Sequence, residues 1–312
     1  MINKRVLIIK QDTDSFEQFF SNNMKRKNVD VMPMYRETKS FFQKVIRHYA
    51  KRSRWNSFIK SWMGTWKENV DKYDVIIVFD KGCTVELLHA IRKLAPNSEL
   101  VFWLWNIPKY DIAKHKKIVD QICCFDQSFA SANSIHYVHQ FHFPELLKKY
   151  IAEQDRGSLF FVGTNKNRGS IINSIAQFCH DTGIDYDFNI YSPRDDNNQD
   201  VFEKIKIINE FMPYEEVLKR SGSAKAIVEI VKPGQRGLTL RSLEALYLGK
   251  KLITNNIAIK SYSVFDENNV FVISDDSIFS LNNFLMKPIV PCSEKLLQSY
   301  SYEDWLTKIT HL

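Results

Sequence analysis

Short apolar runs alternate with helix-forming stretches along the whole chain, and this alternation limits the folds that it can adopt. In the first half the runs are VLIIK (6–10), DVIIVFD (74–80), ELVFWLW (99–105), QICCFD (121–126) and HYVHQFHF (136–143). Most are continuous, which is typical of strands buried on both faces of a parallel sheet. Between two of them, residues 84–96 carry apolar residues at helical spacing and end at Pro96. The order of strand, helix and strand predicts an α/β fold.

The same pattern starts again after a polar stretch at 145–157, which we interpret as a linker. The later runs cover 158–163, 187–192, 224–230, 250–255 and 269–274, with helices predicted at 169–183 and from Leu240 onward. The sequence therefore predicts two domains, 1–155 and 156–312. We expect a cleft between them, because open α/β sheets bind ligands at the carboxyl ends of their strands.

Composition excludes several classes of protein. The chain has 312 residues, of which 44% are hydrophobic, so it is neither disordered nor of low complexity. Its five cysteines form no CxxC pair, which indicates reduced core residues rather than disulfides or a zinc site. No run approaches the roughly 18 apolar residues of a membrane span, and the apolar run after MINKR is too short for a signal peptide. We therefore expect a cytoplasmic protein.

The positive charge is concentrated in one part of the chain. Residues 1–150 hold 25 Lys and Arg against 15 Asp and Glu, whereas the remainder is slightly acidic. The segment 39–67 holds eight Lys and Arg, no acidic residue and seven aromatic residues, at a spacing that predicts amphipathic helices with a cationic face. Such a segment is typical of docking on an anionic membrane surface. The residues that we expect to meet the membrane are Lys51, Arg52, Arg54, Trp55, Trp62 and Trp66.

Two other interpretations of this segment stay open. The aromatic side chains would pack in the core while the cations face solvent, or the segment would bind nucleic acid. No nucleic-acid recognition motif accompanies it, so we expect no nucleic-acid partner.

A glycine-containing loop in the second half carries the most informative pattern. Residues 227–256 read as a strand, this loop, a helix and another strand. A loop that leads into a helix N-terminus presents backbone N–H groups and the positive end of the helix dipole, which stabilise phosphate. Arg236 and Arg241 would add charge beside a pyrophosphate, and Glu244 would accept hydrogen bonds from a ribose. The alternative is a connecting loop in which Arg241 and Glu244 form a surface i,i+3 pair.

The stretch GQRGLTLRSLEALYLGKKLITNN (234–256) resembles the donor-binding segment of GT-B glycosyltransferases, particularly bacterial enzymes of lipopolysaccharide and capsular polysaccharide biosynthesis. LFFVGTNKNRGSIINSIAQF (159–178) resembles the segment that opens their C-terminal domain, and SYEDWLTKI (301–309) resembles their terminal helix. The resemblance implies two Rossmann-like domains facing a cleft, with the terminal helix crossing back to the first domain. It also implies a nucleotide-sugar donor on the C-terminal domain and an acceptor on the N-terminal domain.

The resemblance assigns a set of donor-binding residues. They are Lys166, Arg168, Gln235, Gly237, Thr239, Arg241 and Glu244. In this assignment Arg241 is the counter-charge of the diphosphate and Glu244 binds the ribose. The chain departs from the family at one place, because many GT-B enzymes have a second glutamate where Arg236 stands here. Glu229, at the end of the preceding strand, is the candidate to replace it.

Inversion at the sugar requires a base that deprotonates the acceptor hydroxyl. The candidates are Asp12, Asp80 and His142, each near a predicted strand end of the first domain. We expect no metal, because GT-B enzymes generally use basic side chains and helix dipoles instead. The strings DTD (12–14) and DYD (185–187) lie in the wrong context for a metal motif, and the histidines of 136–143 would alternate between the faces of a strand.

The resemblance implies a metal-independent glycosyltransferase that uses a nucleotide sugar as co-substrate and no cofactor. Its acceptor would be a lipopolysaccharide core or a related surface polysaccharide, reached from the inner face of the cytoplasmic membrane as a peripheral protein. The alternative is a non-catalytic membrane- or nucleic-acid-binding protein built on a degenerate GT-B scaffold.

Overall fold

The computed structural model describes residues 4–36, 62–154, 156–164, 168–192, 205–274 and 277–312. The chain divides into two compact units. The first comprises residues 1–138 and 306–312, and the second comprises residues 139–305. Within the described residues each unit contains a six-stranded parallel sheet with helices, which confirms the predicted α/β class.

The first unit is built on a sheet in the order β2-β1-β3-β4-β5-β6. Its strands are β1 Val6–Lys10, β2 Val29–Pro33, β3 Val75–Phe79, β4 Glu99–Leu104, β5 Gln121–Cys124 and β6 His136–Tyr137. In register, Val6 lies opposite both Val29 and Val75. Every residue of β1 and β3 is buried, because helices cover both faces of a parallel sheet, and this explains why these runs are continuous in the sequence.

Three of the four helices described in the first unit begin at a capping side chain, and these caps are Asp14, Thr84 and Asp126. The four helices are α1 Ser15–Met24, α2 Val85–Leu94, α3 Ala113–Lys116 and α4 Gln127–Ala132. Asp14 accepts a hydrogen bond from the Glu17 N–H at 2.9 Å, and Thr84 accepts one from the Leu87 N–H at 3.2 Å. These side chains satisfy N–H groups that have no partner within the helix and so fix where it starts.

The second unit is built on a sheet in the order β12-β11-β10-β7-β8-β9. Its strands are β7 Leu159–Thr164, β8 Tyr186–Tyr191, β9 Lys206–Ile208, β10 Ala226–Glu229, β11 Lys251–Thr254 and β12 Val270–Val272. Its helices are α5 Pro144–Leu147, α6 Gly169–Thr182, α7 Tyr214–Ser223, α8 Leu240–Leu248, α9 Leu281–Met286 and α10 Glu294–Gln298. Helix α6 buries Ile172, Ile175 and Cys179 at helical spacing in the core of this unit.

The last helix, α11 Tyr302–Ile309, returns the end of the chain to the first unit. Residues 306–312 group with the first unit, where the Lys4 ammonium donates to the Thr310 carbonyl at 2.8 Å. The crossing of the terminal helix back to the first domain is therefore present.

The two units divide at residues 138 and 139, whereas the sequence places the domain boundary at 155 and 156. The backbone of His142 explains the difference, because it pairs with the segment around Ser301 in the second unit. The His142 N–H donates to the Tyr300 carbonyl at 3.1 Å, and the Tyr302 N–H donates to the His142 carbonyl at 2.9 Å. The predicted strand at 136–143 is accordingly reduced to His136–Tyr137.

The basic segment 39–67 falls mostly within residues 37–61, outside the described part of the chain. Lys51, Arg52, Arg54 and Trp55 belong to that part. The structure corrects the prediction for Trp66, which is 1% exposed and donates from its indole N–H to the Met34 carbonyl at 3.2 Å. This indole packs in the core because the chain turns at Gly64 into a short 3₁₀ helix, Thr65–Glu68, and leaves no face for a membrane.

Trp62 is partly exposed, and its carbonyl accepts a hydrogen bond from the Arg36 N–H at 2.9 Å. In the described residues, none of the helices combines the length and the apolar character needed to cross a membrane.

Candidate functional site

The loop between β10 and α8 is held in shape by short hydrogen bonds. Gly234 adopts a φ of +84°, a conformation that glycine supplies without strain. The Gln235 N–H donates to the Lys232 carbonyl at 3.1 Å and closes a turn. Asn256, just beyond β11, donates from its side chain to the Arg236 carbonyl at 3.2 Å and the Gly237 carbonyl at 3.4 Å. The loop that the sequence singles out is therefore an ordered structure beside the start of α8.

Thr239 caps helix α8 and connects it to the sheet. Its hydroxyl accepts a hydrogen bond from the Arg241 N–H at 3.0 Å and donates to the Glu229 carboxylate. The hydroxyl proton of Thr239, a predicted donor-binding residue, therefore points to Glu229.

Glu229 is a buried carboxylate at the end of β10. Besides Thr239, it accepts hydrogen bonds from Ser242 at 2.7 Å and Thr254 at 2.6 Å. Three hydroxyl donors on the loop, on α8 and on β11 thus converge on one carboxylate. Glu229 therefore connects the loop between β10 and α8, which we call the donor loop after its predicted role, to the sheet. From the sequence we had considered Glu229 as a replacement for the missing glutamate of the family, which is a different role. Ser242 and Thr254 belong to the motif region, but their shared partner could be found only in three dimensions.

Arg168 lies directly before α6 and is half-buried. Its Nε atom is buried and has no hydrogen-bond partner in the described residues. Burial lowers the pKa of Arg168, and the negative charge of Glu229 opposes this lowering. A buried guanidinium N–H without an acceptor is costly, so this group is well suited to bind an anion. Lys166, the other predicted cation, lies outside the described residues.

Arg241 and Glu244 form the i,i+3 ion pair that the alternative interpretation anticipated. The pair is not a surface pair, because the Glu244 side chain is 1% exposed and the Arg241 side chain 23% exposed. The second carboxylate oxygen of Glu244 accepts a hydrogen bond from the Tyr214 hydroxyl at 2.8 Å. Both oxygens of Glu244 are therefore used within the second unit.

The structure corrects the prediction for His142, which belongs to the second unit and is fully buried. Its Nε2 atom lies 2.8 Å from the Tyr214 hydroxyl. Burial, reinforced by the positive charge of Arg241, lowers the pKa of His142 to about 3. A buried imidazole with so low a proton affinity is unsuited to act as a base toward an acceptor hydroxyl. The sequence missed Tyr214 altogether, since a tyrosine at the start of a helix gives no signal of its own.

Asp12 and Asp80 follow the adjacent parallel strands β1 and β3 and lie at the same edge of the first sheet. Asp80 accepts a hydrogen bond from the Trp105 N–H at 2.9 Å. Burial raises the pKa of Asp80 to about 6, although backbone N–H groups, that of Trp105 foremost, oppose the rise. One oxygen of Asp12 is buried without a hydrogen-bond partner in the part of the chain that the structure describes. Both carboxylates keep capacity to accept a proton or a hydrogen bond.

A buried ion-pair cluster adjoins this edge. The Lys10 ammonium lies 2.5 Å from one Glu17 oxygen, and the Lys81 ammonium lies 2.7 Å from the other. Burial lowers the pKa of Lys10, and the carboxylate of Glu17 opposes this. Sequence patterns did not predict this cluster, because Lys10 is the last residue of an otherwise apolar strand.

No group of three or more His, Cys, Asp or Glu that could hold a metal ion occurs among the described residues. In the string DYD, Asp187 is paired with Lys206 at 3.2 Å and Arg220 at 3.0 Å. Burial raises the pKa of Asp187, but the hydrogen bond from the Asn189 side chain, followed by those from Lys206 and Arg220, outweighs burial and lowers the pKa.

Comparison with solved structures identifies the architecture as the GT-B fold. Anabaena HepE in complex with UDP and glucose matches with a TM-score of 0.63 and 8% identity, over 99% of this chain and 98% of that one. An α-glucosyltransferase in complex with UDP matches with a TM-score of 0.60 and 11% identity, over 99% and 100%. AviGT4, a glycosyltransferase involved in avilamycin A biosynthesis, matches with a TM-score of 0.59 and 12% identity, over 99% of each chain.

These three solved structures are GT-B glycosyltransferases, and two of them are in complex with UDP. At these identities the likeness establishes the fold. No protein-family model matches the sequence, and no curated protein matches it.

Proposed function

We propose that this protein is a glycosyltransferase that transfers a sugar from a nucleotide-sugar donor bound by its second unit. The observation that supports the proposal most is the buried Nε of Arg168 at the start of α6, which has no hydrogen-bond partner in the described residues. A diphosphate would supply the missing acceptor, and Arg241 at the start of α8 would add a second cation. The positive end of that helix acts in the same sense.

Asp80 is the base that we propose for an inverting transfer. The acceptor oxygen would attack the anomeric carbon, the bond from that carbon to the diphosphate would break, and Asp80 would take the hydroxyl proton. A carboxylate with a pKa near 6 accepts a proton more readily than an ordinary aspartate and is still ionised at neutral pH. Side-chain cations would stabilise the negative charge of the departing diphosphate, so the proposed reaction is independent of metal and of any cofactor.

A panel of nucleoside diphosphates in a thermal shift assay tests the donor proposal. One nucleotide, with UDP tested first because the solved neighbours contain it, should stabilise the protein by about 2.7 kcal/mol at a concentration of a hundred times its Kd. Arg168→Met should remove most of this stabilisation. Arg156→Met, which changes an exposed arginine of the same unit, serves as the matched control. If none of the nucleotides stabilises the wild type, the proposal is wrong.

For the acceptor we propose a lipopolysaccharide core or a related surface glycan, with the protein peripheral on the inner face of the cytoplasmic membrane. The cationic segment 39–67 supports this proposal, because each Lys or Arg near an anionic surface contributes about 1 kcal/mol. Flotation with anionic liposomes should therefore show weaker binding when Lys51, Arg52 and Arg54 are neutralised together. Equal binding of the wild type and this variant would sink the membrane proposal.

A second acceptor class has its own support. Solved neighbours include α-glucosyltransferases in complex with DNA, and a segment of eight cations without an acidic residue would also suit a phosphate backbone. Incubation with radiolabelled UDP-glucose and either a lipid-linked glycan fraction or duplex DNA separates the two. Label in the DNA alone would favour this second function.

A further inference from the structure

A chain of directed hydrogen bonds leads from His142 to Glu244. The Phe143 N–H donates to Nδ1 of His142 at 2.8 Å, so Nδ1 is an acceptor and the imidazole proton resides on Nε2. Nε2 then donates to the Tyr214 hydroxyl at 2.8 Å, and this hydroxyl donates to Oε1 of Glu244 at 2.8 Å. Each of the three hydrogen bonds has only one possible donor, because the backbone N–H at the start can only donate and the carboxylate at the end can only accept.

The three side chains of this hydrogen-bonded series are shielded from solvent. His142 is 0% exposed, Tyr214 5% and Glu244 1%. Burial keeps the imidazole neutral by lowering the pKa of His142, and it raises the pKa of Tyr214, together with the charge of Glu244. The donors of the chain therefore keep their protons in place over the physiological range of pH. A buried network in which every member has a partner is rigid.

Arg241 is the one end of this chain that reaches the surface. Glu244 holds it through Oε2, and Arg241 keeps 23% of its side chain exposed. A guanidinium carries five N–H donors in a fixed plane, so the bond to Glu244 leaves donors for an anion. A ribose diol, in contrast, would have to reach a carboxylate that is covered and already bonded through both oxygens.

We infer that His142, Tyr214 and Glu244 form a support chain that orients Arg241 toward the diphosphate of the donor. Glu244 is then a positioning residue and not the ligand of the ribose. The inference rests on the proposed function, because it concerns the same donor site.

Binding of nucleotide analogues to Glu244→Gln and Tyr214→Phe separates the two roles. The ligands are the nucleoside diphosphate that best stabilises the wild type, its 2′,3′-dideoxy form and the nucleoside without phosphate, with Kd measured by calorimetry. If Glu244 acts through Arg241, both variants should bind the diphosphate about three- to tenfold more weakly. The same loss should appear with the dideoxy form and should vanish with the nucleoside.

If Glu244 instead binds the ribose, the loss disappears with the dideoxy form and persists with the nucleoside, and the inference is overturned. A ratio between ligands for one variant does not depend on the folded fraction, so a destabilised variant still gives an answer. Tyr247→Phe is the matched control, since Tyr247 is a buried tyrosine on α8 whose hydroxyl donates elsewhere, to the Leu297 carbonyl at 2.8 Å.

Unchanged diphosphate affinity in Tyr214→Phe would overturn the support chain while leaving the proposed function intact. A wild type that binds no nucleoside diphosphate would overturn both.

Discussion

The carboxylates of the two units are treated in opposite ways. In the first unit, Asp80 is held by backbone N–H groups and has a raised pKa, and one oxygen of Asp12 has no partner in the described residues. In the second unit, Glu229 accepts hydrogen bonds from three hydroxyl groups, and Glu244 accepts them from a tyrosine and an arginine. The carboxylates of the first unit can still accept hydrogen bonds, whereas those of the second unit are engaged in hydrogen bonds that hold the loop and helix α8 in place.

The difference comes from the neighbours and not from the carboxylates. Burial alone disfavours the charged form and raises the pKa of a carboxyl group, as at Asp80. Donors aimed at the oxygens compensate the charge and fix the side chain, as at Glu229. The surroundings in the fold thus set the properties of each carboxylate. Replacing a carboxylate by its amide should therefore change the stability at neutral pH in opposite directions in the two units.

The largest expected effect is on turnover in Asp80→Asn. If Asp80 is the base, its loss should lower kcat about 10²- to 10⁴-fold with little change in the affinity for the donor. The measurement is the initial rate of sugar transfer at saturating donor. Asp74→Asn is the control, because Asp74 lies just before the opposite end of β3, where it accepts a hydrogen bond from the Arg5 N–H at 2.6 Å. Full activity of Asp80→Asn would remove Asp80 from the chemistry.

The second effect concerns stability in the other unit. Glu229→Gln replaces an acceptor of three hydroxyl groups by an amide that can accept at one oxygen only, so buried donors lose partners. We expect the free energy of unfolding in urea to fall by about 1–3 kcal/mol. Glu267→Gln, an exposed glutamate of the same unit, should change it little. A Glu229→Gln protein as stable as the wild type would show that the three hydroxyl contacts contribute nothing.

The third effect is the pH dependence of transfer. Below a pH of about 6 the carboxyl group of Asp80 is protonated and cannot accept a proton, so kcat/KM should fall about tenfold for each unit of pH. Above this pH the rate should level off. The check is a pH profile of kcat/KM between pH 4.5 and 8. A profile that breaks near the ordinary pKa of an aspartate, well below 6, would contradict the role of burial at this site.

The last expected effect is the change in stability of Asp80→Asn with pH. The folded-state pKa of Asp80 lies above its ordinary value of 3.8, so the folded protein binds the proton more tightly than the unfolded chain. Stability contributed by this group is therefore present at low pH and is lost as the pH rises toward 6. Urea titrations at pH 4 and pH 7 should show the variant gaining on the wild type by roughly 2 kcal/mol. If Asp80→Asn instead lost stability relative to the wild type between pH 4 and pH 7, Asp80 would stabilise the protein as Glu229 does, and the comparison between the two units would be wrong.

Much of the fold could be predicted from hydrophobic pattern. The continuous runs at β1, β3 and β10 lie where the sequence places them, because strands buried on both faces need apolar side chains throughout. Two strands were missed, Val29–Pro33, where apolar and polar residues alternate, and Lys206–Ile208, which has three residues. Both lie at an edge of their sheet, where fewer neighbours impose a pattern.

The motif singled out the region around the start of α8, but it did not reveal the partners of the residues in this region. The sequence singled out Thr239, Arg241 and Glu244, and the structure brings them together around the start of α8. It did not point to Tyr214, and it assigned His142 to the other domain. These two residues join Glu244 through backbone pairing with the segment around Ser301 and through the packing of α7, contacts between residues far apart in the chain.

By itself the sequence determined the two parallel sheets and the position of the loop between β10 and α8, because both depend on local patterns of apolar residues, glycines and caps. Only the tertiary structure decided the role of each polar side chain. The pKa of Asp80, the hydroxyl donors on Glu229 and the chain from His142 to Arg241 all depend on burial and on distant neighbours. The electrostatic cost of leaving water is set by those surroundings, which no stretch of sequence contains.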